Sequence, residues 1–136
     1  MPFKLVPMVA AAFVTAFMAI AAEAAERLPY DSARFVAAQD AGKPILIDIS
    51  ASWCPTCKQQ KPIIDSLIQQ PAYAGLSVFD VNFDNQKDVV RWFGATSQST
   101  LIALRGKSEK ARSVGDTNPT SIGSLIAATL TPDPRR

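Results

Sequence analysis

Cys54 and Cys57 are the only cysteines of the chain, and they stand where a strand pattern gives way to a helix pattern. The run Ile45-Leu46-Ile47-Asp48-Ile49-Ser50 is short, β-branched and almost continuously apolar, as expected of a strand covered on both faces. Ala51-Ser52-Trp53 ends the run. Residues 55–70 then place Ile63, Ile64, Leu67 and Ile68 on one helical stripe, with Pro62 expected to kink the helix and Gln70-Pro71 closing it. A strand buried on both faces needs a layer above and a layer below.

The remaining elements fit that architecture. Asp31 is placed to cap a helix with Phe35, Val36 and Ala38 on its inner side, and Gly42 to end it. Residues 76–83 form a second strand. Asp84-Asn85 is expected to start a short helix carrying Val89, Val90, Trp92 and Phe93, the two aromatic residues being assigned to the core. Residues 100–104 and 110–115 flank a turn at Arg105–Ser108 and are expected to pair antiparallel. Asn118-Pro119 opens a last helix with Ile122, Leu125, Ile126, Thr129 and Leu130 at helical spacing. This order predicts an α/β fold with a central mixed sheet flanked by helices on both faces.

Composition narrows the chemistry. The chain of 136 residues contains no histidine, which removes Ser-His-Asp and Cys-His nucleophile pairs and histidine-containing metal sites. Two cysteines cannot build a four-thiolate site within one chain. The net charge is +2, and the basic residues are scattered apart from Arg135-Arg136, so nucleic acid is not an expected partner.

The first residues, MPFKLVPMVAAAFVTAFMAIAAEA, have a charged Lys4, an uncharged apolar run and small residues at Ala22 and Ala24. That is the layout of a secretory signal peptide over 1–24, leaving residues 25–136 as one domain. An uncleaved anchor and a buried first helix are the rivals. The alanine content makes the run weakly hydrophobic, which favours cleavage. The expected compartment is the periplasm.

Two cysteines at this spacing can close a small disulfide ring. At a helix N-terminus, free N–H groups and the helix dipole stabilise a thiolate, the nucleophile of disulfide exchange. Cys54 is placed to be that nucleophile, and Cys57, one turn inward, to resolve the mixed disulfide. Pro55 fits the first helical turn, where a missing N–H costs nothing. A fixed structural disulfide is a poorer reading, because so short a loop constrains the unfolded chain little. Asp48 is the one charge of the central strand, where burial would raise its pKa. Its alternatives are a solvated sheet edge or pairing with Lys58 or Lys61. Trp53 is read either as a surface ring beside the disulfide or as core packing, and Lys58 and Lys61 as a solvated helix face.

SASWCPTCKQQKP resembles the active-site segment of thioredoxins: a Trp, the cysteine pair, a Lys, and a Pro five positions beyond the second cysteine. Asp48, six residues before Cys54, falls where thioredoxins keep a buried aspartate, which implies a general base that takes the Cys57 proton. The strand at 76–84, Phe93-Gly94, the turn at Gly106 and Val114-Gly115 follow in thioredoxin order, so the resemblance spans about residues 31–130. It implies a thioredoxin fold and a thiol–disulfide oxidoreductase acting on protein disulfides or dithiols, with no cofactor beyond the Cys54–Cys57 couple. The segment GKPILIDISASWC is most similar to periplasmic reductase modules that draw electrons from an inner-membrane thiol carrier, and Pro55-Thr56 also occurs in thioredoxin-like reductases of cytochrome c maturation. A monomer is expected.

One position departs from the family. Ser99 stands where thioredoxins carry a cis-proline facing the disulfide. Either Gln98–Ser99 is cis, at a cost of about 3–4 kcal/mol, or the loop relaxes to trans. In the family this loop binds substrate backbone, which implies roles for Gln98, Ser99 and Thr100 beside Trp53, Pro55 and Thr56. A metal or iron–sulfur site shared by two chains through Cys54 and Cys57 is the alternative from another functional class. An adaptor without turnover is a third reading, against which the intact cysteine pair argues. The absence of a histidine between the cysteines points to a reductant rather than a strong oxidant.

Overall fold

A computed structural model describes residues 1–2 and 23–134. The expected signal segment therefore lies almost wholly outside the described residues. No helix among those described is long and apolar enough to cross a membrane.

The chain runs through β1 (Glu26–Pro29), α1 (Ser32–Asp40), β2 (Pro44–Ser50), α2 (Pro55–Leu67), a 3-10 turn at Pro71–Tyr73, β3 (Ser77–Asn82) and α3 (Lys87–Trp92). It continues through β4 (Thr100–Arg105), β5 (Ser108–Val114), α4 (Pro119–Ala127) and a closing 3-10 turn at Ala128–Leu130. Among the described residues five strands lie in the order β1-β3-β2-β4-β5. β3 is parallel to both β1 and β2, whereas β4 is antiparallel to β2 and to β5, giving the expected mixed sheet.

Alternation along β2 sorts the core into two layers. Ile45, Ile47 and Ile49 join Phe35, Phe79, Val90 and Phe93 on the α1/α3 side. Leu46 joins Ile64, Val78, Leu101, Ile122 and Ile126 on the α2/α4 side. Asp48 shares the parity of Leu46, which directs it beneath α2. The central position of β2 explains why its sequence lacks the polar alternation of a half-exposed strand.

Local chemistry sets the helix ends. Asp31 caps α1 by accepting the Arg34 N–H at 2.9 Å, and Asn118 caps α4 by accepting from Thr120 and Ser121 at 2.8 and 3.2 Å. Gly106, at φ 55°, turns β4 into β5 where a Cβ would lie 3.2 Å from the Gln39 carbonyl oxygen and the Gly42 Cα. That close approach requires glycine.

Several expectations are corrected. β1 was not anticipated. α2 ends at Leu67 rather than at 70, and α3 starts at Lys87 because Asn82 Oδ1 holds the Asp84 and Asn85 N–H groups in a turn, each at 2.9 Å. Phe93 is buried as expected, but Trp92 is 66% exposed. Trp92 ends α3 and Phe93 is its C-cap; neighbouring positions there point about 100° apart, so Phe93 faces the sheet and Trp92 packs edge-on against Phe35 and Phe93 instead. Val36 likewise lies outside, while Phe35 and Ala38 face in.

Candidate active site

β2 and β4 bring the candidate residues to one end of the sheet. Ile49 lies opposite Thr100, so the chain leaving β2 toward Cys54 runs beside the 95–99 loop that feeds β4. In parallel-type sheets such strand ends are where ligands are met.

Cys54 and Cys57 form a disulfide with a Cα–Cα separation of 5.3 Å. Cys54 is the N-cap of α2, with extended backbone at φ −83° and ψ 112°, and its Sγ accepts the Cys57 N–H at 3.1 Å. Pro55 occupies the first helical position. A sulfur in that place receives a backbone donor and the positive helix end, both of which favour its thiolate. Exposure does not separate the pair: Cys54 is 1% accessible and Cys57 7%. In this disulfide form both cysteines pack with Ala51 against Phe83. The helix terminus distinguishes the two cysteines.

Trp53 is a surface ring, held by an Nε1–H bond to Asp84 Oδ2 at 2.8 Å. This bond fixes an apolar face beside the disulfide. Pro55 is exposed and Thr56 half-buried on the same rim. Lys58 and Lys61 are exposed, as a solvated helix face, with Lys61 3.2 Å from Asp65 one turn on.

Asp48 is buried, and burial pushes its carboxyl above the ordinary range. The hydrogen bond and charge of Arg27 oppose that shift, Asp80 adds to it, and Lys61 opposes it. Asp48 pairs with neither Lys58 nor Lys61. Its partner is Arg27 of β1, whose Nη1 bonds Asp48 Oδ2 at 3.0 Å. Asp48 and Cys57 line one cleft of about 470 Å³ behind the disulfide, a space large enough to admit water.

The loop carrying Gln98, Ser99 and Thr100 adopts the relaxed alternative. There is no cis peptide bond among the described residues, and Ser99 takes φ 56°. A left-handed conformation costs a non-glycine residue about 1–2 kcal/mol. It is held by several bonds. The Ser99 carbonyl accepts from Gly115 N–H at 2.9 Å and from Gln60 Nε2 at 3.3 Å, and the Gln98 carbonyl accepts the Ser97 and Ser99 hydroxyls at 3.0 and 2.6 Å. Thr100 Oγ1 donates to the Ser97 carbonyl at 2.7 Å. Gln60, buried in α2, also reaches the Asp116 carbonyl at 2.8 Å and so ties three segments together. Nothing in its helical spacing marks it apart from the apolar stripe around it. Proline cannot reach a positive φ. Ser99→Pro is therefore expected to destabilise the fold by about 1–3 kcal/mol, the cost of forcing the loop into another conformation, whereas Ser99→Gly should be tolerated. Denaturant unfolding of the two variants checks this; a more stable Ser99→Pro would show that the loop accepts the proline geometry.

Known proteins resemble the chain over most of its length. The thioredoxin family profile matches residues 29–128. Thioredoxin-2 of Saccharomyces cerevisiae is 34% identical over 101 residues, covering 74% of this chain and 90% of its own length. The protein disulfide-isomerase tigA of Aspergillus niger is 33% identical over 97 residues, which are 69% of this chain and 27% of that longer protein. Among solved structures, Trxlp of Edwardsiella tarda EIB202 superposes with a TM-score of 0.73 at 42% identity, over 74% of this chain and 98% of that one. Fold, matched length and the disulfide at the head of α2 agree: the chain belongs to the thioredoxin family, as a thiol–disulfide oxidoreductase whose redox pair is Cys54 and Cys57.

Proposed function

We propose that the protein is a monomeric periplasmic reductant of protein disulfides, recharged by a thiol carrier of the inner membrane. The observation that carries the reading is Cys54 at the cap of α2 with Cys57 and the buried Asp48 sharing one cleft behind it. In the reduced protein the Cys54 thiolate attacks a partner disulfide. One partner thiolate leaves, and a Cys54–partner disulfide forms. Cys57 then passes its proton to the Asp48 carboxylate and attacks the Cys54 sulfur. The Cys54–Cys57 bond forms, the second partner thiolate departs, and two electrons have moved to the partner. Trp53, Pro55, Thr56 and Gln98 form the rim on which the partner docks, whereas Ser99 and Thr100, expected beside them, are buried beneath it. No cofactor enters this cycle.

The compartment rests on the leader-like segment 1–24 and on the likeness of GKPILIDISASWC to periplasmic reductase modules; β1 begins at Glu26, just beyond the expected cleavage point. The direction rests on the lack of any histidine to stabilise the reduced form. A metal shared between two chains is not favoured, because the family match and the helix cap at Cys54 both favour disulfide exchange.

The reduction potential of the Cys54–Cys57 couple tests the reading. A value nearer about −270 mV than about −120 mV is expected, and one above about −150 mV places the protein among oxidants. Recovery of chains starting at Ala25 from a periplasmic fraction tests the compartment.

A further inference from the structure

Three carboxylates and two cations meet beneath α2. Arg27 of β1 donates through Nη1 to Asp48 of β2 and to Asp80 of β3, and through Nε to Asp65 of α2 at 3.0 Å. Lys61 of α2 bridges Asp65 at 3.2 Å. The register accounts for the strand part of this arrangement. Asp48 stands directly opposite Asp80 on parallel strands, so two like charges are neighbours on one face of the sheet. Arg27 lies opposite Val78, on the adjoining strand and on the same face.

The cluster carries one negative charge more than its cations neutralise. Asp48 is the least hydrated of the three carboxylates, at 6% side-chain exposure against 40% for Asp65 and 37% for Asp80. Surplus charge is relieved where water helps least, so a proton entering the cluster settles on Asp48. β4 contributes no opposing charge, since the residue facing Asp48 there is Leu101. Lys58 also borders the cleft but makes no bond to Asp48.

We propose that Arg27 is a positioning residue for the exchange reaction: by sharing its guanidinium among Asp48, Asp65 and Asp80 it keeps Asp48 ionised at working pH and so ready to take the Cys57 proton. The inference rests on the base role of Asp48 in the proposed cycle. The proton leaves the Cys57 sulfur for an Asp48 oxygen as the Cys54–Cys57 bond forms and the partner thiolate departs. No electron passes through Arg27. Its charge sets how much of Asp48 is available as carboxylate, and Asp80 pulls the other way. The sequence holds no sign of this device, because the residues that make it are 21, 38 and 53 positions apart from Arg27.

The test is the pH profile of mixed-disulfide resolution, followed in single turnover with a disulfide-bonded peptide, together with carboxyl carbon NMR titration of Asp48 in the reduced protein. Arg27→Gln is expected to move the midpoint up and to slow resolution at neutral pH by about tenfold or more, part of what a general base supplies. The loss should vanish at alkaline pH, where Asp48 is ionised in both proteins. Asp80→Asn should move the midpoint down, and Arg27→Lys should restore it towards the parent value. A purely structural Arg27 would lower thermal stability in Arg27→Gln while leaving every midpoint in place, and that result overturns the proposal. Should Arg27→Gln fail to fold, Asp80→Asn and Arg27→Lys decide by the same criterion: an unmoved midpoint in Asp80→Asn overturns it. A parent protein that resolves no mixed disulfide at all would instead overturn the exchange cycle itself, whereas NMR midpoints that move without any change in rate would sink the role of Asp48 as base, and with it that of Arg27.

Discussion

Cys54→Ser is expected to abolish disulfide exchange, with turnover falling by more than about 10³-fold, as when a single nucleophile is removed from a catalytic unit. The reason lies in the cap of α2. Its first N–H groups have no partner within the helix, and one of them, from Cys57, points at the Cys54 sulfur at 3.1 Å. Only that sulfur gains from the helix terminus, so only that sulfur is poised as a thiolate near neutral pH. Serine in its place has a hydroxyl that stays protonated. Cys57→Ser should behave differently. Attack by Cys54 persists, but the second displacement is missing, and covalent complexes with disulfide partners accumulate. Mass spectrometry of each variant after mixing with a disulfide-bonded peptide separates the roles. Trapping by Cys54→Ser and none by Cys57→Ser would exchange the two assignments. Burial cannot make this distinction, since Cys54 is the less accessible of the two in the disulfide form.

Much of this site is legible in the chain because its parts are close together. The apolar run 45–50, the cysteine pair and the helix stripe that follows are contiguous, and each carries a period or a cap that local chemistry dictates. The same holds for the Asp31 and Asn118 caps and for the β4–β5 hairpin. What was not legible depends on distance along the chain or on competition between neighbours. β1 is four residues long and half of it is exposed, so it presents no alternation to read; it becomes a strand only by pairing with β3. Arg27 looks like an ordinary surface cation until that pairing carries it over Asp48 and Asp80. Trp92 and Phe93 are equally apolar in sequence, and the direction each takes at the end of α3 decides which is buried. At Ser99 the sequence shows a missing proline but leaves both peptide geometries open. The structure has that peptide bond trans with Ser99 at positive φ, and Gln60 and the Gly115 N–H, from α2 and from the end of β5, anchor the Ser99 carbonyl in that conformation.

Asp48→Asn is expected to make the protein more stable and less active at the same time. In the folded chain burial holds the Asp48 carboxyl above its ordinary range, with Arg27 only partly offsetting that shift. The unfolded chain releases the proton at the ordinary value. Between the two values the folded state binds more protons than the unfolded state, so stability declines as pH rises from the ordinary carboxylate range through the raised folded value, then levels off. Asparagine removes this penalty while keeping an oxygen for the Arg27 Nη1–H, and Arg27 retains Asp65 and Asp80 as partners. The variant should therefore unfold at higher denaturant concentration than the parent at neutral and alkaline pH. The gain should disappear on acidification, where the parent carboxyl is protonated in both states. Activity moves the other way, because an amide accepts no proton from Cys57. Resolution of the mixed disulfide should slow by about 10²-fold at neutral pH, the lower end of what a positioned base contributes. Stability curves of parent and variant across pH, set beside single-turnover rates, measure both halves. A variant less stable than the parent at alkaline pH would mean that the Arg27 bond outweighs burial and that Asp48 is held as a structural ion pair.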